Sequence, residues 1–408
     1  MRLTRPTVER RGDVVRLSTR VTWEDRQRDD DVIAHEWPAA LADDVTASPD
    51  AALLAAYPLA LWFGERRLAV EGDVCPRLAD GVRTAMALGH EWYPQLRPVA
   101  IEATERTPPV PNASRGERRA AVCLSGGVDA LTLLYLNTRT VPVGHPARFT
   151  DGLFLFGLNT YDYADGVARP ERLAAYEAQR ARLAALCEAT GVTLLTAATN
   201  VRPLFPTYEA WCHATHSAPL ASVGHAMTPR LRSLAVASAG AGLAPAVVPN
   251  ALVDAFHASH ALDVHSAHAT LPRLEKVRLL AGWPEGLAAL RCCFMIRVHD
   301  GPVQNCGQCE KCVRTMLEFL AVGALDRAPF PTRDVTPEAV ERVAYADSLA
   351  TRIFFAEVTP SLAAQGRDDL VRVIRRALAH QQMRLRRREP WWRRWISRGD
   401  AEHAETTN

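Results

Sequence analysis

The stretch at residues 120–137, AAVCLSGGVDALTLLYLN, constrains the fold most, because a short apolar run enters a Ser-Gly-Gly turn and continues as an apolar-periodic helix. That is a strand, a tight loop and a helix start. Gly126 and Gly127 allow backbone angles and a closeness of approach that side-chain-bearing residues refuse. The first turn of the helix offers unpaired amides and the positive end of its dipole at the same place, so a phosphate suits the corner. It is not a Walker A loop, which ends Gly-Lys-Ser/Thr. No lysine lies near it, and the chain's lysines are Lys276 and Lys311 alone.

Around this unit the pattern alternates. Strand-like runs at residues 120–124, 153–158, 192–197 and 245–248 interleave with helical periodicity at 128–137, 171–190 and 220–239, the last kinked at Pro229. This predicts an α/β fold, a parallel doubly wound sheet covered on both faces, with ligands at the carboxyl ends of its strands. Contacts are then expected just beyond each strand: Ser125, Gly126, Gly127, Val128 and Asp129 after the first, Asn159 after the second, Asn200 and Arg202 after the third. For the last three a plain polar loop is an equally simple reading.

Ahead of this domain, a strand at 14–21, a helix at 50–62 interrupted at Pro58, a strand at 67–71 and an amphipathic helix at 76–90 predict an N-terminal α/β lobe over residues 1–115. A turn-rich stretch at 107–115 closes it. Beyond residue 326 a C-terminal helical region reaches 390, with Thr336 as cap, Pro337 at the first helical position and a second helix at 361–388. The basic segment 384–398 carries Trp391, Trp392 and Trp395; it suits phosphates or a membrane surface, and equally a solvated terminal helix, with 391–408 a flexible tail.

With 408 residues, 48% hydrophobic and 23% charged, the chain can bury one sizeable core and a smaller one. A formal net charge of +2 gives no overall drive toward nucleic acid or membrane. The opening MRLTRPTVERRGD lacks the apolar core of a signal peptide, and no run of about 18 apolar residues suggests a span, so the cytoplasm is expected.

Five of the nine cysteines fall between Cys292 and Cys312, which points to a metal site in a reducing compartment. Cys306, Cys309 and Cys312 form a C-x-x-C-x-x-C array that needs a fourth ligand, from Cys292 or Cys293. Zinc suits four thiolates in a closed site, and an iron–sulfur cluster is the alternative. Seven of the thirteen histidines cluster at His213, His216, His225, His257, His260, His265 and His268, three pairs at i,i+3 spacing. A second metal site, ordinary structural histidines, and an acceptor pocket using His260 with Ser259 and Asp263 for proton transfer are the three readings of that cluster.

SGGVD at residues 125–129 resembles the PP-loop of the ATP pyrophosphatases, Ser-Gly-Gly-x-Asp-Ser, with Ala130 where that family has its second serine. Downstream, LPRLEKVRLL at 271–280, LRCCF at 290–294, CGQCEKC at 306–312 and Arg314 follow the order found in 7-cyano-7-deazaguanine synthases of that superfamily. The resemblance covers about residues 118–325. It implies a HUP-like, ATP-binding PP-loop domain at 116–290 and a zinc knuckle at 291–325 held by Cys293, Cys306, Cys309 and Cys312. It implies ATP and Mg²⁺, with Lys276 reaching phosphate or the activated intermediate and Asp129 orienting Mg²⁺ or the helix start. The implied reaction is adenylylation of a carboxylate or amide oxygen with loss of pyrophosphate, followed by displacement of AMP by nitrogen. Its partners are a small-molecule or peptide carboxylate and a nitrogen donor. A tRNA-thiolating relative, drawing on Cys123, Cys187 or Cys212, and a nucleotide- or nucleic-acid-binding protein without turnover are the alternatives.

Overall fold

The computed structural model describes residues 1–106, 118–158, 170–213, 217–238, 250–293, 304–344 and 349–388. Its strands are β1 (Arg2–Leu3), β2 (Thr7–Arg11), β3 (Val14–Thr22), β4 (Asp31–Pro38), β5 (Arg67–Val74), β6 (Ala100–Glu105), β7 (Arg119–Cys123), β8 (Phe149–Phe156), β9 (Thr193–Thr199), β10 (Leu231–Ala237) and β11 (Asp263–Ala267). All join one mostly parallel sheet in the order β11-β10-β7-β8-β9-β4-β3-β1-β5-β6, with β2 paired to β3. The helices are α1 (Pro49–Phe63), α2 (Pro76–Trp92), α3 (Val128–Thr140), α4 (Pro170–Thr190), α5 (Tyr208–His213), α6 (Ser217–Ala226), α7 (Ala251–Asp254), α8 (Arg273–Ala281), α9 (Pro284–Ala289), α10 (Glu310–Ala321), α11 (Pro337–Ala344), α12 (Leu349–Ala364) and α13 (Asp368–Arg388). Among the described residues, no helix is long and apolar enough to cross a membrane.

The five strands from β7 to β11 are mutually parallel. Among these five the chain enters at β7, steps outward to β8 and β9, then returns to lay β10 and β11 on the other side of β7. The reversal between β7 and β10 is a topological switch point, where the loops at the carboxyl ends diverge and open a crevice. Strand alternation sorts side chains into two cores. Ala121, Leu153, Leu155, Leu234 and Val236 face α1 and α6, whereas Ala120, Val122, Phe154, Phe156 and Ala235 face α3, α4, α8 and α10. Burial on both faces explains why these strands read as unbroken apolar runs.

The first 105 residues are α/β, and their strands extend the same sheet: β4 pairs antiparallel with β9, His35 opposite Thr199. Ser48 caps α1 by accepting the Ala51 N–H at 3.2 Å, and Gly64, at φ 70°, ends it. Pro58 lies within α1 without breaking it, contrary to the sequence expectation. His35 fastens the junction, its Nδ1 lying 2.9 Å from Thr199 Oγ1 and its Nε2 2.8 Å from Ser222 Oγ on α6. Burial pushes its imidazole down to about 4 from an ordinary 6.5. The folded state therefore holds the neutral ring while the unfolded chain takes up a proton, so this contribution is complete above pH 6.5 and is lost as pH falls through 4. Its size is on the order of 3 kcal/mol. Urea melts of wild type and His35→Gln at pH 7 and pH 4.5 are expected to differ widely at the first pH and much less at the second; an equal gap at both would refute the assignment.

Three other expectations change. Residues 220–239 are not one helix: α6 stops at Ala226, a turn carries Pro229, and Leu231–Ala237 is strand β10, paired between β7 and β11. A short apolar run does not reveal its own period, and here tertiary pairing decides. Likewise 361–388 divides into the end of α12 and the whole of α13, with Gly366 at φ 72° between them. Residues 263–267, within the histidine cluster, form β11. Thr336 does cap α11, accepting the Ala339 N–H at 3.3 Å. The stretches at 107–115 and 245–248 and the tail from 389 lie outside the described residues.

Candidate functional site: the Ser-Gly-Gly loop and the four-cysteine knuckle

The loop after β7 is built from two glycines with different reasons to be there. Gly126 has φ 82°, and a Cβ on it would overlap the Gln179 amide of α4 and press on the Ala289 carbonyl at 3.1 Å. Its own carbonyl accepts the Arg291 N–H at 2.8 Å. Position 126 thus needs glycine for internal packing. Gly127 has an ordinary φ of −75°. Among the described residues a Cβ there would meet only Ser125 Oγ, at 3.4 Å. Among the described residues no atom demands glycine at 127 or blocks the approach to the α3 amides. Gly127 is the N-cap of α3 and supplies no side-chain acceptor. The exposed Ser125 hydroxyl accepts the Gly127 N–H at 3.3 Å. Val128 and Ala130 turn their side chains into the core, so only their backbone can serve a ligand.

Asp129 faces two cations. Its carboxylate meets the Arg273 guanidinium in a close ion pair and lies 3.2 Å from Lys276 Nζ. Burial alone would raise its carboxyl, yet Arg273 and Lys276 hold it below the usual range. Lys276 is almost fully buried, and its ammonium also donates to the carbonyl of Ser238, the residue after β10. Burial draws the lysine below its usual value while Asp129 opposes that shift. One ammonium therefore bridges the helix that follows β7 and the end of β10, at the switch point. Behind it Arg273 Nε donates to Glu318 Oε2 on α10 at 3.1 Å. Leu274, in the first turn of α8, donates its N–H to Glu357 Oε1 of α12 at 2.8 Å. Sequence reasoning missed Arg273 and Glu318. The available signal was Arg273 three residues before Lys276, on one helix face.

α10 begins at the knuckle. Cys306 Sγ accepts the N–H groups of Gln308 at 3.4 Å and Cys309 at 3.3 Å, across a turn made by Gly307 at φ 69°. Cys309 is the N-cap of α10 and Cys312 lies in its first turn. Cys293 Sγ is 3.9 Å from Cys309 Sγ, and Cys306 Sγ is 3.8 Å from Cys312 Sγ. All four sulfurs lie within 4.8 Å of one another. A tetrahedral zinc with bonds of about 2.3 Å has sulfur–sulfur edges of about 3.8 Å, so the donor set fits a metal such as zinc. Cys292 is not one of the four: its Sγ lies 3.4 Å from Asn305 Oδ1 and 3.7 Å from the Lys311 carbonyl, and it neighbours the Cys312 thiol. Asn305 was also missed; its amide donates to the Leu290 and Pro329 carbonyls and accepts the Cys292 N–H, fixing the segment that delivers Cys293.

Other expected residues have different employment. Asn200 accepts the Ala34 N–H at 2.8 Å and donates to the Val32 carbonyl at 2.7 Å, so its amide pins β4 rather than a nucleotide. Arg202 donates to the Phe205 carbonyl at 3.4 Å within its own turn, 5.8 Å from the Trp211 ring. His260 stands before β11, at the opposite end of the sheet from the Ser-Gly-Gly loop, with Nδ1 3.1 Å from Cys75 Sγ. The acceptor-pocket role expected of it is thereby removed. His257 and His225 are internal, bonded to Tyr57 and to the His257 carbonyl, while His265 is exposed beside Asp263. The i,i+3 argument failed because part of the segment is strand. Asn159 and His216 lie outside the described residues.

An unexpected acid sits at the carboxyl ends: Asp254, fully buried, accepts the Ser266 hydroxyl, and burial pushes its carboxyl up to about 6. No family model matches this chain, and no curated protein or solved structure matches it.

Proposed function

We propose that this protein is a PP-loop ATP pyrophosphatase with a HUP-like core, which adenylylates a carboxylate or amide oxygen and passes the activated carbon to nitrogen. The observation that carries the reading is Lys276, buried between Asp129 and the Ser238 carbonyl at the switch point beside the Ser-Gly-Gly loop. An oxide is a poor leaving group, and AMP is a good one. The loop amides and the Ser125 hydroxyl take the departing pyrophosphate, and Lys276 supplies fixed positive charge where negative charge develops. Mg²⁺, when bound with the nucleotide, would share that charge. Asp129 is already matched by Arg273 and Lys276, which favours a positioning role for it over metal ligation. The knuckle holds α10, and through Glu318 and Arg273 that helix braces the loop.

Against thiolation, burial pushes the Cys123 and Cys187 thiols up to about 12, so neither supplies thiolate near neutral pH. Pyrophosphate–ATP label exchange, measured with a panel of carboxylates, tests the proposal. Exchange and AMP release that depend on one class of acid are expected. Nucleotide binding without either would instead make the protein a sensor.

A further inference from the structure

We infer that the outward face of α13 is a docking surface for the phosphate backbone of a nucleic acid. The helix carries seven arginines, and its acids are confined to Asp368 and Asp369 in the first turn. Leu370, Val371, Ile374, Ala377 and Gln381 are buried, the helix packing on α11 and α12. Opposite them, at helical spacing, positions 372, 375, 376, 380 and 383 share one stripe about 140° wide. Arg372, Arg375 and Arg376 on it are exposed. Among the described residues none of the three has a carboxylate partner; Arg372 donates only to the Asp368 carbonyl, at 3.2 Å. From 372 to 383 the stripe runs about 16 Å.

A cationic helix of this kind suits either a membrane surface or a polyanion, and packing distinguishes them. Membrane-lying helices insert an apolar face. Here that face is committed to the core, and Met383 is the one strongly exposed large apolar side chain on the described stripe. What remains is guanidinium, which pairs with phosphate in a bidentate fork. The chain's small net charge makes the concentration of arginine on one face more telling, because counter-charges elsewhere have not been spread along it.

The test uses the full chain and fluorescence anisotropy with labelled 20-base-pair RNA and DNA duplexes at 50 and 200 mM KCl. Wild type is expected to bind at least one duplex. Three phosphate contacts would weaken affinity about 40-fold across that salt range. The variant R372Q/R375Q/R376Q is expected to lose about tenfold or more at 50 mM and to flatten the salt dependence, while its melting temperature and pyrophosphate exchange stay at wild-type values. Single R375Q, with a proportionally smaller loss, covers the case of a poorly folded triple variant. The RNA and DNA arms say which polymer is preferred. Unchanged binding by both variants, no duplex binding at 50 mM, or capture by phosphatidylserine vesicles without duplex binding would overturn the inference. Because exchange is read separately, failure here leaves the adenylylation proposal standing, and the reverse also holds.

Discussion

Removing the metal, or replacing Cys312 with serine, is expected to unfold the C-terminal part of the chain from Cys293 onward. Cys312 is fully buried in the first turn of α10, whose Val313, Met316, Leu317 and Phe319 belong to the core on that side of the sheet. Structural zinc in small domains binds with on the order of 10 kcal/mol, and without the ion the ligating thiols repel or lie loose. The fall in melting temperature should therefore exceed that of any single core truncation elsewhere, and elemental analysis should find one zinc per chain before chelation and none after. Cys292→Ser is the control: its thiol faces Asn305, so metal content should hold. Loss of metal from that variant with retention in Cys293→Ser would sink the ligand assignment, and full thermal stability in excess chelator would sink the structural role.

The second large effect concerns Lys276. Lys276→Met should lower pyrophosphate exchange on the order of 10²- to 10³-fold, the usual loss when a preorganised charge donor is removed from a reacting site. ATP affinity should change less, because the α3 amides and Ser125 remain. Destabilisation of about 1–3 kcal/mol should accompany it, since the Ser238 carbonyl loses its partner. The pH profile provides a separate reading. Burial holds the lysine's value below the ordinary one, and the proposed reaction uses its protonated form, so exchange should decline with rising pH earlier than an exposed lysine would allow. Exchange in Lys276→Met within about threefold of wild type would remove the residue from the mechanism.

What could be read in advance follows the range of the forces involved. The Ser-Gly-Gly loop and the knuckle are set by neighbours in sequence: a positive φ at Gly126 or Gly307 and two-residue gaps between thiols leave few alternatives. Asp129 and Lys276 were suspected separately, and the sheet brings them within 3.2 Å. Arg273 shares a helix face with Lys276, but its pairing with Glu318 needs α8 and α10 to pack and so has no signature in the sequence. Asn200 misled for the same reason, its true partners on β4 lying 166 and 168 residues away. His260 misled because spacing alone did not reveal which end of β11 it precedes.

The pairing of His35 with Thr199 has a practical consequence for dissecting the molecule. A fragment starting near residue 118 would leave β9 as a naked rim, its unsatisfied amides and carbonyls ready to recruit the same rim of another molecule. Such a truncation is expected to aggregate rather than to fold as a self-contained unit, and swivelling of one half on the other would require tearing the seam between β4 and β9.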